Sequence, residues 1–274
     1  VPPNLILIDT GLRHPYQLEI TQHEVPMRGL PDALQGTVVV HLTDLHGGYG
    51  NTGAVHQEVV DRLHEIQPDL ILLTGDYIDD HRTVKDYPIE EMLSQLRAPL
   101  GVFGSFGNHD HRRGVVGTRR KLEQAGIQVL DNESHKVPTA GGQGLWIAGV
   151  DDLEEGEPDI EKALANLPTD ATSIVLSHNP RLIEMVAERD VFILSGHTHG
   201  GQIALPFPTP KMVCLWHLRC RQVAGWYANG RARSYVSRGI GVTGKPFRYR
   251  CPAEIAVFRL VQQQIEAQST PEHE

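Results

Sequence analysis

Five short apolar runs in this chain close in the same way. Residues 37–43 (TVVVHLT) lead into Asp44-Leu-His46, and 69–74 (DLILLT) into Gly75-Asp76-Tyr-Ile-Asp79. Residues 102–106 (VFGSF) lead into Gly107-Asn108-His109-Asp110, 173–176 (SIVL) into Ser177-His178-Asn179, and 191–194 (VFIL) into Gly196-His197-Thr198-His199. Continuous apolar runs of this length suit strands covered on both faces. Between them, 53–67 sets Val55, Val59, Leu63 and Ile66 at helical spacing, and Pro68 closes it. Residues 88–97, 118–125, 159–167 and 180–188 read as helices in the same way. Strand–helix alternation predicts a layered α/β fold. A second group of strand-like runs, 16–25, 127–130, 145–150, 234–237 and 254–260, predicts a second, mixed sheet. The expected fold is therefore α/β, with two mixed β-sheets flanked by helices.

In open α/β sheets, ligands bind beyond the carboxyl ends of the strands. Here each of the five runs delivers Asp, Asn or His at that end. Asp44 and His46, like His197 and His199, are two apart, so on extended backbone they point to one side. The glycines around the second pair let the chain turn sharply and approach a neighbour. The donor set is carboxylate, carboxamide oxygen and imidazole, without thiolate. That disfavours structural zinc, which prefers cysteine, and calcium or magnesium, which prefer oxygen. It suits Mn, Fe, Zn, Co or Ni. The candidate ligands number about seven, too many for one ion; two divalent ions roughly 3.5–4 Å apart would use them all.

Other histidines read differently. His41, inside a strand, is expected to be buried and hydrogen-bonded, while His14, His23, His56, His64, His81, His135, His217 and His273 read as solvated or structural. His111, Arg112 and Arg113 follow the third block closely enough to be candidate substrate-binding residues.

The five blocks, in this order from Asp44 to His199, resemble the calcineurin-like metallophosphoesterase superfamily. LPDALQGTVVVHLTDLH (30–46), GGQIALPF (200–207) and SRGIGVTGKPFRYRCPAEI (237–255) are similar to one branch of it. That branch holds the bacterial YkuE-like phosphoesterases and UDP-2,3-diacylglucosamine pyrophosphatase-like enzymes. The resemblance implies a four-layer αββα sandwich. It implies a first metal on Asp44, His46, Asp76 and His199, and a second on Asp76, Asn108, His178 and His197, with Asp76 bridging. It implies two catalytic residues. His109 would bond phosphate oxygens or protonate the leaving group, and Asp110 would orient His109 or cap the following turn. The implied reaction is hydrolysis of a phosphodiester or pyrophosphate by a metal-bridging hydroxide, on a lipid- or nucleotide-linked substrate, with manganese expected to serve in vitro. A phosphomonoesterase or a nuclease on the same site is the alternative. A non-catalytic scaffold has least support, because no ligand position is lost. Gly47 departs from the branch, which often has a larger residue there; Gly47-Gly48 is expected to open the pocket rim.

Composition sets the remaining bounds. The chain has 274 residues, a net charge of −9 and 40% hydrophobic residues, which fits a globular protein with a sizeable core. We read a single domain at 16–262, an N-terminal extension at 1–15 and a C-terminal tail at 263–274. No apolar run is long enough to span a membrane. The sequence begins at Val1, which leaves room for an upstream signal or anchor. An exported or membrane-associated location is favoured over a cytoplasmic one. Cys214 and Cys220 could pair; three unpaired thiols, with Cys251, is the other reading. Residues 191–253 carry nine Lys or Arg and no Asp or Glu, interleaved with aromatics. One reading is a solvated loop region over a satellite core. The other is a basic, apolar-rimmed surface for an anionic lipid or membrane. Nucleic acid is disfavoured by the acidic whole and the lack of a recognition motif.

Overall fold

The computed structural model describes residues 17–50, 52–84, 86–139, 144–168 and 171–263. The expected N-terminal extension, nearly all of the tail, His14 and His273 lie outside these residues. Two six-stranded sheets face each other. The first comprises β1 (Leu18–Met27), β2 (Val38–Leu42), β3 (Leu70–Thr74), β4 (Val102–Ser105), β5 (Gln128–Val129) and β12 (Ala253–Gln262), in the order β1-β12-β2-β3-β4-β5. The second comprises β6 (Glu133–Pro138), β7 (Gly144–Gly149), β8 (Ser173–Leu176), β9 (Phe192–Ser195), β10 (Gly225–Asn229) and β11 (Ala232–Val236), in the order β10-β11-β9-β8-β7-β6. Both are mixed: β2 to β5 run parallel while β12 opposes β2, and β7, β8, β9 and β11 run parallel between two antiparallel edges.

The unbroken apolar runs have a direct cause. In β3, Leu70 and Leu72 face the other sheet while Ile71 and Leu73 face helices, and none of them is exposed. Alternate side chains leave opposite faces of a strand, so a sheet covered twice needs apolar residues at every position. Between the sheets, Val39, Phe103 and Phe258 meet Ile147, Phe192 and Leu194. On the outer face of the first sheet lie α1 (Thr52–Ile66), α2 (Ile89–Leu93) and α4 (Val115–Gln124), which contribute Val55, Val59, Leu63, Leu93 and Leu122. On the outer face of the second lie α5 (Ile160–Leu164) and a 3-10 turn at Pro180–Glu184, with Ala163, Leu164 and Ile183. Three cores between four layers make the αββα sandwich. The chain also forms α3 (Asn108–Arg113) and α6 (Pro210–His217).

The grouping of strands differs from the sequence reading in one respect. The five ligand-bearing strands do not share a sheet: β2, β3 and β4 lie in the first and β8 and β9 in the second. Of the runs assigned to the second sheet, β1, β5 and β12 belong to the first. Periodicity reports that a strand is covered on both faces, not which neighbour covers it. The predicted helix at 180–188 is the short 3-10 turn, started by Pro180 and by the Asn179 side chain accepting the Arg181 amide.

Candidate dinuclear metal centre

Beyond the strand ends, the backbone adopts a conformation that L-residues avoid. Asp44 (φ 53°), His46 (44°), Asp76 (55°), His197 (71°) and His199 (51°) are all left-handed, half of the ten such non-glycine residues described. Each costs roughly 1–2 kcal/mol, and such strain gathers at functional sites because surrounding contacts over-determine it. The contacts are visible. The Asp44 amide donates to the Gly75 carbonyl (3.1 Å) and the His46 amide to the Asp76 carbonyl (3.0 Å). Thus β2 and β3 stay paired past their ends. The His197 amide donates to the Asp44 carboxylate at 3.1 Å, which ties the second sheet to the first. A Cβ on Gly196 would overlap Asp44 Oδ2 and Thr43 Oγ1, so only glycine allows this seam.

The side chains of these residues converge. His46 Nε2 is 3.0 Å from His199 Nε2, 3.5 Å from Asp76 Oδ2 and 3.9 Å from Asp44 Oδ1, while His199 Nε2 is 3.2 Å from Asp44 Oδ1. Donors held about 2.0–2.2 Å from one ion lie about 3–3.5 Å from each other, so this set fits a divalent ion. Two further pairs adjoin it. His178 Nε2 lies 3.1 Å from Asp76 Oδ2, and His197 Nδ1 lies 3.0 Å from Asn108 Oδ1. The His178 side chain is fully buried. Buried imidazole, carboxylate and carboxamide groups gathered this closely are the donor types a shared divalent ion takes. The far side of the His178 ring is fixed: Nδ1 donates to the Thr74 carbonyl at 2.6 Å, leaving Nε2 free as a ligand. On the far side of the His46 ring, Nδ1 lies 2.8 Å from Asp79 Oδ2.

Electrostatics follow from burial. Burial alone would raise the Asp76 pKa, but His178, His109 and His46 hold it well below the ordinary range. Burial works against protonation of His178, yet Asp76 and Asp44 raise its pKa well above normal. His41, in contrast, is pushed down to about 3, first by burial and then by His178, and bonds Thr74 Oγ1 at 2.8 Å. It is a buried structural histidine.

Around this cluster the sequence-predicted residues divide. His109 faces Asp76, its Nε2 3.9 Å from Oδ2. Its Nδ1 sits 2.7 Å from Asp80 Oδ1, a partner that the sequence reading did not single out. Asp110 does not orient His109. Its carboxylate accepts the amides of Gly107, Asp76 and Tyr77 at 2.8, 2.8 and 3.1 Å, locking the β3 loop to the start of α3. Burial and the Asp76 charge raise its pKa, against three amides that favour its charged form. His111 turns to Asp151 (2.6 Å). Arg112 bonds Glu155 at 2.9 Å and lies 3.6 Å from Asp80, within reach of the site. Arg113 donates to the carbonyls of Asp79 and Val84. Gly47 does not open the rim: the Tyr87 ring fills the space a side chain would take. Two more side chains were missed. Glu154 lies 3.3 Å from His197 Nε2, and buried Arg248 donates to the carbonyls of His199, Gly239 and Gly241 behind the site.

Comparison with known proteins accounts for this geometry. Residues 37–201 match the family described as Calcineurin-like phosphoesterase. The chain belongs to that family. The phosphoesterase is 35% identical over 251 residues to the uncharacterized metallophosphoesterase YkuE of Bacillus subtilis, covering 90% of this chain and 86% of YkuE. It is 31% identical over 258 residues to a transmembrane protein with metallophosphoesterase domain from Danio rerio, covering 89% of this chain but 57% of that longer protein. Among solved structures, TT1561 of Thermus thermophilus shares the fold, with a TM-score of 0.50 and 14% identity over 75% of this chain and 91% of that one. The phosphoesterase is thus a metal-dependent hydrolase of phosphate esters with a dinuclear divalent metal centre. Among the described residues, no helix is long and apolar enough to cross a membrane.

Proposed function

We propose that the phosphoesterase hydrolyses phosphodiester or pyrophosphate bonds in a lipid- or nucleotide-linked substrate. The observation that carries this is the convergence on His46 of Asp44, Asp76 and His199, each 3.0–3.9 Å from its Nε2, with His109 at their edge. In this reading these four hold one ion; Asp76, Asn108, His178 and His197 hold the other. The ions, when bound, supply a water acidified from 15.7 toward about 7 and neutralise charge on the attacking and leaving oxygens. Asp80 anchors Nδ1 of His109, so its Nε2 is the atom presented to substrate, to bond a phosphate oxygen or give a proton to the leaving group. Asp110 keeps the loops at one spacing. Arg112 reaches toward a substrate phosphate from the rim, while His111 and Arg113 have structural partners that occupy them. Manganese is the ion we expect to activate the protein in vitro. The acid-free stretch 191–253 supports an anionic, lipid-linked substrate, UDP-linked lipids among them, and an exported or membrane-associated setting.

The test is a paired assay. Apo protein reloaded with Mn²⁺ is offered bis(p-nitrophenyl) phosphate and p-nitrophenyl phosphate side by side. Faster diester cleavage supports the proposal. Faster monoester cleavage replaces it with a phosphatase.

A further inference from the structure

The helix α6 has its apolar residues on the wrong side. Cys214 is buried and marks the inward face. Met212, Leu215 and Trp216, at i, i+3 and i+4, share a face that points away from it. A surface helix turns polar residues outward. Here Leu215 is 44% and Trp216 60% exposed, and the loop leading into the helix adds Phe207 at 74% and Leu205 at 42%. No other segment among the described residues gathers so many exposed large apolar side chains.

The same stretch of chain is rich in cations. Of the nine Lys and Arg in 191–253, Arg248 is buried, Arg231 faces Asp190, Arg233 bonds the Pro26 carbonyl, and Arg238 pairs with Glu19. The remaining five, Lys211, Arg219, Arg221, Lys245 and Arg250, are exposed and have no carboxylate partner among the described residues. Some exposed cations elsewhere find carboxylates, as Arg62, Lys121 and Arg189 do; what sets this stretch apart is that its cations come with no acidic residue among them. Gln202 gathers the two contributing segments by donating to the carbonyls of Thr243, Lys245 and Phe247. The patch is also fastened to the metal loop. The Thr198 hydroxyl, between His197 and His199, donates to the Val223 carbonyl, and Pro210 packs on Gly201.

We infer that α6 and its flanking loops dock on the surface of an anionic lipid bilayer, with Phe207, Leu215 and Trp216 entering the interface and the five cations facing lipid phosphates. Apolar side chains flanked by unpaired cations match both halves of such a surface, its acyl boundary and its negative charge. A protein partner would supply the apolar half but must bring its own carboxylates; nucleic acid leaves the apolar half unused. Docking there would hold the metal centre against the membrane that carries its substrate. The inference deepens the lipid-linked reading above and rests on it only for that last step.

The test is co-sedimentation of the Mn²⁺-loaded full chain with vesicles of phosphatidylcholine alone or with about one-third phosphatidylglycerol. We expect binding to the anionic vesicles at low salt and release at high salt. Phe207→Ser with Trp216→Ser, and separately Lys211→Glu with Arg219→Glu and Lys245→Glu, should each weaken binding about tenfold or more. Neither set should change turnover of the soluble diester, because none of these residues touches the metal cluster. Failure of the wild-type chain to sediment with anionic vesicles at low salt overturns the inference. So does binding that neither set of substitutions weakens, or retention on a duplex oligonucleotide instead of vesicles. Binding without turnover of any phosphate ester keeps the docking surface and removes the lipid-linked hydrolase; turnover without binding does the reverse.

Discussion

Asp76 and His109 are neighbours in the site with unequal burdens. Unaided phosphate ester hydrolysis is so slow that an enzyme must lower the barrier by upwards of about 20 kcal/mol. A general acid supplies roughly 10²–10⁴-fold, about 3–5 kcal/mol. The rest falls to the ions, and Asp76 faces both ligand sets. Asp76→Ala should therefore reduce turnover to background, while His109→Ala should leave a measurable residue. Equal residual rates in the two variants, with metal content verified by elemental analysis, would refute that division. Asp80→Asn keeps the shape but weakens the anchor on His109, so we expect a loss of about tenfold, smaller than that of His109→Ala. A fall in metal content in Asp80→Asn would instead make Asp80 part of the metal cradle. The seven candidate ligands could be picked out in the sequence because each follows an apolar run, and the structure brings their side chains together. Asp80 could not: it sits beside Asp79 in an acidic pair, and nothing in the spacing tells which carboxylate reaches which histidine. Arg248 was hidden by its company, one of nine cations in a basic stretch. Its burial follows from backbone carbonyls that only the folded loops bring together.

Strands set the ligands' positions, and their junctions are the sensitive points. Gly196 carries the seam between β9 and the end of β2. Gly196→Ala would push on Asp44, and overpacking of this kind costs about 1–3 kcal/mol. We expect a lower melting temperature and a reduced metal stoichiometry; an unchanged stoichiometry would show that Asp44 can yield. A second junction joins α3 to the loop after β7 through His111 and Asp151. The bond to Asp151 raises the His111 pKa. The stabilisation is therefore full below the ordinary histidine value near 6.5 and is lost as pH rises through the raised folded value. Burial would raise the Asp151 pKa, but its bonds with His111 and backbone amides lower it, so on the acid side the carboxylate stays charged below its usual range. His111→Gln should lower the melting temperature more at pH 6 than at pH 9; an equal loss at both would mean that the pair contributes shape and not charge. Most strands were readable from their apolar runs. β6 and β10 were not, because they are edge strands: β6 is mostly polar, and β10 is short, largely exposed and opened by a glycine.

At the scale of the whole molecule, the two sheets meet at the ligands. Ions that bind only the folded chain should stabilise it, by about 2.7 kcal/mol for each site held at a hundred times its dissociation constant. Chelation should thus lower the melting temperature by about 5 °C or more, restored by Mn²⁺. No shift on chelation would mean the ligand loops are equally firm without metal. A layered α/β fold with two mixed sheets was legible from strand–helix alternation and a second group of strand-like runs, but the sharing of ligand strands between sheets was not. The last strand, β12, enters the first sheet between β1 and β2. That placement has a consequence for the order of events in the cell. A chain emerges from the ribosome amino end first, so all seven candidate ligands are exposed before β12 exists. Until then β1 has no neighbour and β2 has an open edge, a template for pairing with other chains. The segment just before β12 braces the first metal loop, through the amides of Ile240 and Gly241 on the carbonyls of Thr43 and Asp44. The loops of the first sheet are therefore translated early and made rigid late, and a nascent chain stalled before residue 253 would carry Asp44, His46, Asp76 and Asn108 on an unfinished sheet.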